Sequence, residues 1–407
     1  MRHSIYLLVP LLSIASTAYG EVLTAGNAAM GGVGVASSHI DSAASNNPAL
    51  LIRPKRSKKT VITVPSFSGE ASDKDEVVDT IDDVDELFEA FENAVDAYAA
   101  NPNAANLSAA EQSRDDVLDA LESVDEKPIT GQASILFSIA SVGDTWSYAI
   151  DSRHSVIGVS EINFAPEDRN ILQTAINNSN SNIDDLIETT VNASAVVLKE
   201  TVLSIAKGFT LKGHELAIGI SPKVVEVDTY FYSQGAENAD TNDLEKNDYR
   251  TDDSAVNIDV GLAYFLSDTI TVGIIFRDLF RKNFKTVTVN DQFDQYQTKL
   301  SSTLGFAIAQ PFYNVALDVD LIPKKGLKSI EDSQFLRVGG EIDAWGWGQF
   351  RAGLRFDLKS ERDNVMSAGF NLSPYDTVHI GLSSWSGDLW NGDSNTEGLA
   401  VDIKVLF

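Results

Sequence analysis

Counting back from Phe407 in steps of two gives Val405, Ile403, Val401 and Leu399, and the residues between include Lys404, Asp402 and Ala400. A period of two with one continuous apolar face is a β-strand, greasy on one side and polar on the other. The same alternation recurs upstream. Met366, Ala368, Phe370 and Leu372 interleave with Ser367, Gly369 and Asn371; Phe350, Ala352, Leu354, Phe356 and Leu358 with Arg351, Gly353, Arg355 and Asp357; Leu336, Val338, Gly340 and Ile342 with Arg337, Gly339, Glu341 and Asp343. Residues 315–321 and 256–264 read the same way. Charges stay on one face in strand after strand, which suits a wall with lipid outside and a polar lumen inside. A soluble β-sandwich, which would pack its apolar faces together, is the alternative.

Very short connections are expected at residues 141–144, 212–214, 267–268, 310–311, 344–348 and 373–376, with longer polar links between them and 359–362 as the one short exception. Short periplasmic turns alternating with long external loops are the pattern of outer-membrane barrels. With a first strand near residues 60–67, the chain is expected to be an all-β membrane protein, an antiparallel outer-membrane β-barrel of about 14 strands. Trp146, Tyr148, Trp345, Trp347, Tyr375 and Trp385 are expected at strand ends as interfacial girdles. The aromatic last residue, Phe407, resembles the terminal assembly signal of such barrels. That resemblance implies the barrel-assembly machinery, outer-membrane lipid and lipopolysaccharide as partners.

The amino-terminus also points outside the cytoplasm. Arg2 and His3 precede an apolar stretch from Ile5 to Ile14, and Ala18-Tyr19-Gly20 supplies small residues before Glu21. This reads as a secretory signal over residues 1–20, too short for a spanning helix. Acidic side chains number 59 against 31 basic ones, a balance that disfavours nucleic acid as a partner. The chain has no cysteine, so disulfides, thiol redox chemistry and a lipobox are excluded. No later window approaches about 18 consecutive apolar residues, which excludes spanning helices.

Two regions break the strand period and are expected as helical insertions, at about 72–126 and 163–192. Ile81, Val84, Phe88, Phe91, Val95 and Tyr98 recur at steps of three and four, and Asn101-Pro102-Asn103 ends that helix. Ser108 with Glu111 resembles a capping box opening a second helix through Val117, Leu118, Leu121 and Val124. A third is expected from Pro166 to about Thr190. In a barrel these lie outside the cell, where capping the mouth is favoured over binding a partner.

Residues 26–51 read GNAAMGGVGVASSHIDSAASNNPALL. The Gly31-Gly32-Val33-Gly34-Val35-Ala36 run, Asp41 followed by small residues, and the Asn47-Pro48-Ala49 ending resemble the amino-terminal hatch of the FadL-type fatty-acid transport family. Ala36-Ser37-Ser38-His39 and the helical insertion after the first strand resemble more closely the exported TraF-like plasmid-transfer family. The resemblance implies a barrel over residues 60–407 with residues 21–59 as plug and connector. Gly31, Gly32, Gly34, Asp41, Asn47 and Pro48 are then the plug residues, small enough to pass close to the wall. FadL-type proteins admit hydrophobic molecules through a dry pocket and a lateral opening, so a small hydrophobic ligand is implied. The helical insertion and the acidic external loops depart from a fatty-acid carrier, because an acidic mouth repels carboxylates.

Catalysis would need a nucleophile with a base, paired carboxylates in a cleft, or a metal cluster. The histidines His3, His39, His154, His214 and His379 are scattered, and no Ser/His or Asp/His pair stands out on matching strands. No enzymatic activity, cofactor or metal site is therefore expected. Asp240, Asn242 and Asp243 lack the glycine and terminal Glu of an EF-hand and read as a solvated loop. Arg53, Lys55, Arg56, Lys58 and Lys59 read as a solvated connector in preference to a site for anionic head groups. Arg337, Glu341, Asp343, Arg351, Arg355 and Asp357 fall on adjacent strands and are expected to pair across the lumen or hold the plug, in preference to forming a selective constriction. The function expected is passive passage or binding of small hydrophobic compounds at the outer membrane. The alternative is a structural or recognition barrel in plasmid transfer or surface contact. A continuous apolar cavity beside the plug favours the first, and a lumen filled by charged pairs the second.

Overall fold

The computed structural model describes residues 22–52, 60–143, 145–180, 186–236, 247–344, 347–373, 377–387 and 395–407. The signal segment, the basic stretch 53–59, Trp345, Tyr375 and the 240–243 loop lie outside the described residues. Two short helices, α1 (Ala25–Ala29) and α2 (Ile40–Asn46), and a 3-10 turn (Pro48–Leu51) come first and sit inside the barrel that follows. The alternating segments form β1 (Thr60–Asp73), β2 (Ile129–Ser141), β3 (Trp146–Asn163), β4 (Thr190–Leu211), β5 (His214–Gly235), β6 (Arg250–Phe265), β7 (Ile270–Arg277), β8 (Lys282–Lys285) and β9 (Gln295–Thr298). They continue as β10 (Ser301–Gln310), β11 (Tyr313–Ile322), β12 (Phe335–Asp343), β13 (Gly348–Asp357), β14 (Val365–Leu372), β15 (Val378–Ser386) and β16 (Asn395–Leu406).

Fourteen of these strands close into one antiparallel barrel, in the order β1-β16-β15-β14-β13-β12-β11-β10-β7-β6-β5-β4-β3-β2. β8 and β9 form a separate hairpin. The seam is β1 against β16, from Val61↔Leu406 to Asp73↔Asn395, and the backbones of Thr60 and Phe407 exchange hydrogen bonds at its end. Closure pairs every wall strand on both sides, which is what a β-structure in hydrocarbon requires.

Facing follows the sequence period. On β6, Val256 is 64% exposed and its neighbour Asn257 is 1% exposed; on β16, Leu399 and Ile403 face out while Asp402 and Lys404 are buried. The outer band is therefore lipid-compatible and the lumen polar. On this register Leu354→Arg is expected to cost about 2–4 kcal/mol near the bilayer midplane. Leu354→Cys, in a chain without other thiols, should react with a lipid-soluble maleimide and not with a membrane-impermeant one; labelling of both Leu354→Cys and Arg355→Cys by the impermeant reagent would overturn the register.

β3, β4 and β5 run for 18, 22 and 22 residues, well past the roughly 9–11 that span a bilayer. Their far ends project beyond the apolar band, where Lys199 and Arg250 pair outward with Asp228 at 3.1 and 2.8 Å. On these ends stands a helical cap of α3 (Val77–Ala100), α4 (Ala104–Ser123) and α5 (Asp168–Asn178). Its core includes Phe88, Phe91, Val95, Val117, Leu121, Leu172 and Ile176. A second apolar cluster, Val77, Ile81 and Val124 with Ile129, Ile162 and Val191, seats it on the sheet.

Three details differ from the sequence reading. α4 opens at Asn103, whose side chain accepts from the amides of Ala105 and Asn106, so Ser108 lies inside the helix and is no cap. α5 stops at Asn178, because Ser179 adopts a left-handed φ of +51° and ends the helix as a C-cap. Trp146, Tyr148 and Trp347 are exposed near the turn ends, as a girdle requires, but Trp385 is only 6% exposed. Alternation from Leu382 turns Ser384 outward and Trp385 into the lumen, where its indole donates to Glu70 and its ring lies over Gly398.

Candidate functional site

Main-chain hydrogen bonds pin the plug to the wall. Asp402 of β16 accepts from the Ala25 amide at 2.9 Å; Ser367 of β14 accepts from the Gly31 amide and donates to the Ala29 carbonyl, each at 2.9 Å. Asp318 of β11 accepts from the amides of Gly34 and Val35 at 2.7 and 3.0 Å. Between these anchors the chain turns at Gly31 and Gly32, at φ +71° and +86°, a conformation that costs glycine little and other residues much. Asp41 pairs with Lys404 at 2.6 Å. Burial alone would raise the Asp41 carboxyl, but Lys404, with His39 and Arg351 nearby, holds it well below the usual carboxylate range. Asn47 donates to the carbonyls of Val35 and Leu262 and accepts from the Ala49 amide, tying the plug to itself and to β6. Pro48 opens the 3-10 turn. Arg277 of β7 donates to the carbonyls of Ser45 and Asn46 at 2.7 and 3.0 Å, closing the α2 C-terminus.

The wall leaves room for this backbone. A Cβ on Gly353 would lie 2.1 Å from the Met30 carbonyl carbon, one on Gly339 2.4 Å from the Met30 oxygen, one on Gly273 2.2 Å from the Val35 oxygen and one on Gly219 2.4 Å from the Ala49 nitrogen. Gly339 and Gly353 stand side by side in register on β12 and β13. Plug and wall thus meet at main-chain distance.

Around the plug runs a layer of ion pairs. Glu341 and Arg351, neighbours in register, pair at 2.6 Å, and His39 of the plug approaches Glu341 to 3.3 Å. The other members of the cluster singled out on β12 and β13 find partners elsewhere. Arg337 stands opposite Arg355 and pairs instead with Asp320 on β11 at 2.9 Å. Arg355 reaches Glu70 on β1 at 2.8 Å. Asp357 accepts from the amides of Lys359, Glu361 and Arg362 and shapes the next loop. Asp343 sits at the turn end, its amide bonded to Phe312. Across the barrel Lys223 contacts Glu200, Asp259 and Asp278 at 3.1, 3.3 and 2.8 Å, and Arg153 pairs with Asp151 at 2.7 Å. Lys223 and Glu70 had no pattern of their own to mark them, and alternation marked Asp318 only as a lumen charge; the wall's closure brings their partners into reach.

Above that layer the lumen changes character on one side. Ile157 and Val159 of β3, Val196 and Leu198 of β4, and Val225 and Val227 of β5 are buried in one apolar cluster with Phe284, Tyr296, Leu327 and Ile330. A cavity of about 110 Å³ separates it from the ionic layer. A larger one, about 390 Å³, opens at the turn end between the plug and Arg351, Asn371, His379 and Lys404. His379 Nδ1 lies 2.7 Å from Ser373 Oγ, which also receives a bond from Asn371. This Ser/His contact, missed by sequence spacing, ties β14 to β15 beside their turn.

A family model described as F plasmid transfer operon, TraF, protein matches residues 44–320, more than half of the chain. The chain belongs to that family. No curated protein sequence gives a significant match. Solved structures give the TraF-family barrel its fold relatives. The toluene transporter TodX of Pseudomonas putida has a TM-score of 0.52 at 12% identity, covering 95% of this chain and 98% of its own. The toluene transporter TbuX of Ralstonia pickettii has 0.52 at 10% identity, covering 95% and 98%. A FadL homologue of Pseudomonas aeruginosa has 0.51 at 9% identity, covering 97% and 99%. The TraF-family chain therefore has the plugged 14-stranded fold of FadL-type outer-membrane barrels, and these structural neighbours are channels, not enzymes.

Proposed function

We infer that this protein sits in the outer membrane as a plugged channel that passes or binds small hydrophobic compounds without energy coupling. The observation that carries this reading is the aliphatic side of the lumen above the plug, where six wall positions on β3, β4 and β5 face inward without a charge among them. These positions are covered by Phe284, Tyr296, Leu327 and Ile330, and wherever that cover is withdrawn they offer a surface for an apolar solute. Similarity in fold to barrels described as toluene transporters supports the same reading. Lipid, lipopolysaccharide and the barrel-assembly machinery are the partners such placement requires.

The test is uptake of toluene and of a long-chain fatty acid by cells with and without the protein, with mating frequency measured in the same strains. Faster toluene uptake with the protein is the expected result. A second reading, a recognition barrel serving plasmid transfer, rests on the external helical cap and on the lumen beside the plug, which holds ion pairs and a cavity edged by Arg351, His379 and Lys404 in place of a continuous apolar one. Unchanged uptake of both solutes, with mating lost on deletion of residues 72–126, would replace the first reading by the second.

A further inference from the structure

The hairpin β8–β9 belongs to the link between β7 and β10, yet it is folded into the mouth of the barrel. Its register places Phe284 beside Tyr296, the two rings 6.1 Å apart and both buried against the aliphatic positions of β3, β4 and β5. The next external link joins it: Tyr296 bridges to Leu327, and the buried Asp294 accepts from the amides of Lys328 and Ser329 and from the Ser329 hydroxyl. The two links therefore form one unit, with Leu327 and Ile330 completing its apolar underside. Burial, with Asp278 and Glu200 nearby, pushes the Tyr296 phenol well above its usual range, so both rings are neutral.

A hairpin of two four-residue strands is marginal by itself in water. What holds it is the apolar wall, together with a few polar ties. Thr229 donates to the Lys285 carbonyl at 3.1 Å, and the half-exposed Lys282 pairs with the exposed Asp253 at 2.8 Å. Among the described residues, the cluster that covers this wall is completed by the hairpin and the Leu327–Ile330 link. A cavity of about 110 Å³ beneath Tyr296, bordered by Leu198 and Val225, adjoins this wall on the plug side.

We propose that this hairpin is a lid that occupies the protein's own ligand site, and that a neutral molecule of one or two rings takes the place of Phe284 and Tyr296 when the lid swings out. The proposal rests on the channel reading above. It assigns the ligand surface to Ile157, Val159, Val196, Leu198, Val225 and Val227, and the chemistry of that surface excludes a charged head group there, since a charge would be buried without a partner.

The chain has no cysteine, so Asp253→Cys with Lys282→Cys, whose native side chains meet at 2.8 Å, can be bridged by a short bis-methanethiosulfonate, an oxidised state that reduction reverses and that fixes the lid to β6. The probe is a neutral aryl diazirine, photolysed with the purified full-length protein, and labelling is read by peptide mass. In the reduced protein the label is expected on peptides carrying Leu198 or Val225, and oxidation should cut it at least tenfold, with recovery on reduction. Phe284→Ala, which vacates one ring without a cross-link, should raise it. Equal labelling in the oxidised and reduced states, or none on these wall peptides in either, overturns the lid. Labelling that obeys the lock while toluene uptake by cells is unaffected by the protein leaves the lid standing and removes the channel reading.

Discussion

Lys223→Met is expected to destabilise the barrel by roughly 3–5 kcal/mol at pH 7, the range for removing one partner of a buried ion pair. Lys223 is 6% exposed and is the cation between Glu200, Asp259 and Asp278, at 3.1, 3.3 and 2.8 Å. Methionine keeps most of the volume and removes the charge, so three carboxylates face one another in a low-dielectric lumen. The measurement is the urea midpoint of the heat-modifiable form of parent and variant at pH 7. A deficit below about 1 kcal/mol, the size of a surface ion pair, would show that the Lys223 cluster is solvated and not a structural layer.

The wall of this protein was legible in its sequence, and the reason is geometric. A strand that separates lipid from a polar lumen has to alternate; residues 350–358 do so throughout, and residues 399–405 keep an unbroken apolar outer face. The helical insertions were legible for the same kind of reason, since Phe88, Phe91 and Val95 keep the helical period. Their ends were less so: Asn103 caps through one side chain, which Ser108 and Glu111 imitate five and eight residues later. Pairing partners were harder. Arg337 and Arg355 stand opposite each other, and which carboxylate each reaches depends on β11 and on β1, one of them almost three hundred residues away in the chain. Trp385 shows how a composition rule loses to a parity rule. Tryptophan is common at interfaces, but alternation with Leu382 and the space over Gly398 decided its side. The hairpin was invisible because Phe284 and Tyr296 are separated by a polar stretch that looks like any external loop. Nothing local marks a loop that turns back into a lumen.

Gly339→Val and Gly353→Val are expected to unseat the plug and turn a closed barrel into a conducting one. At these two neighbouring positions a side chain would meet main chain: 2.4 Å from the Met30 oxygen and 2.1 Å from its carbonyl carbon. Overpacking a core costs roughly 1–3 kcal/mol where neighbouring side chains can shift. Here the obstacle is the plug backbone, held on both sides by the Ser367 bonds to Ala29 and Gly31 and by the Asp318 bonds to Gly34 and Val35, so it cannot give way by tenths of an ångström. The wall itself is continuous and closed, and valine suits a strand. What yields is the plug, and an aqueous path opens beside it. Gly340→Val is the control, on the same strand but facing out, where a Cβ would find nothing nearer than the Asn314 oxygen at 3.8 Å. The parent and the Gly340→Val protein should be silent in planar bilayers with residues 22–52 resistant to protease. The two lumen variants should show steady ion current and cleavage within that segment. Silent bilayers and an intact plug in the variants would mean that the plug is not seated on these glycines, and that close approach of its backbone does not close the lumen.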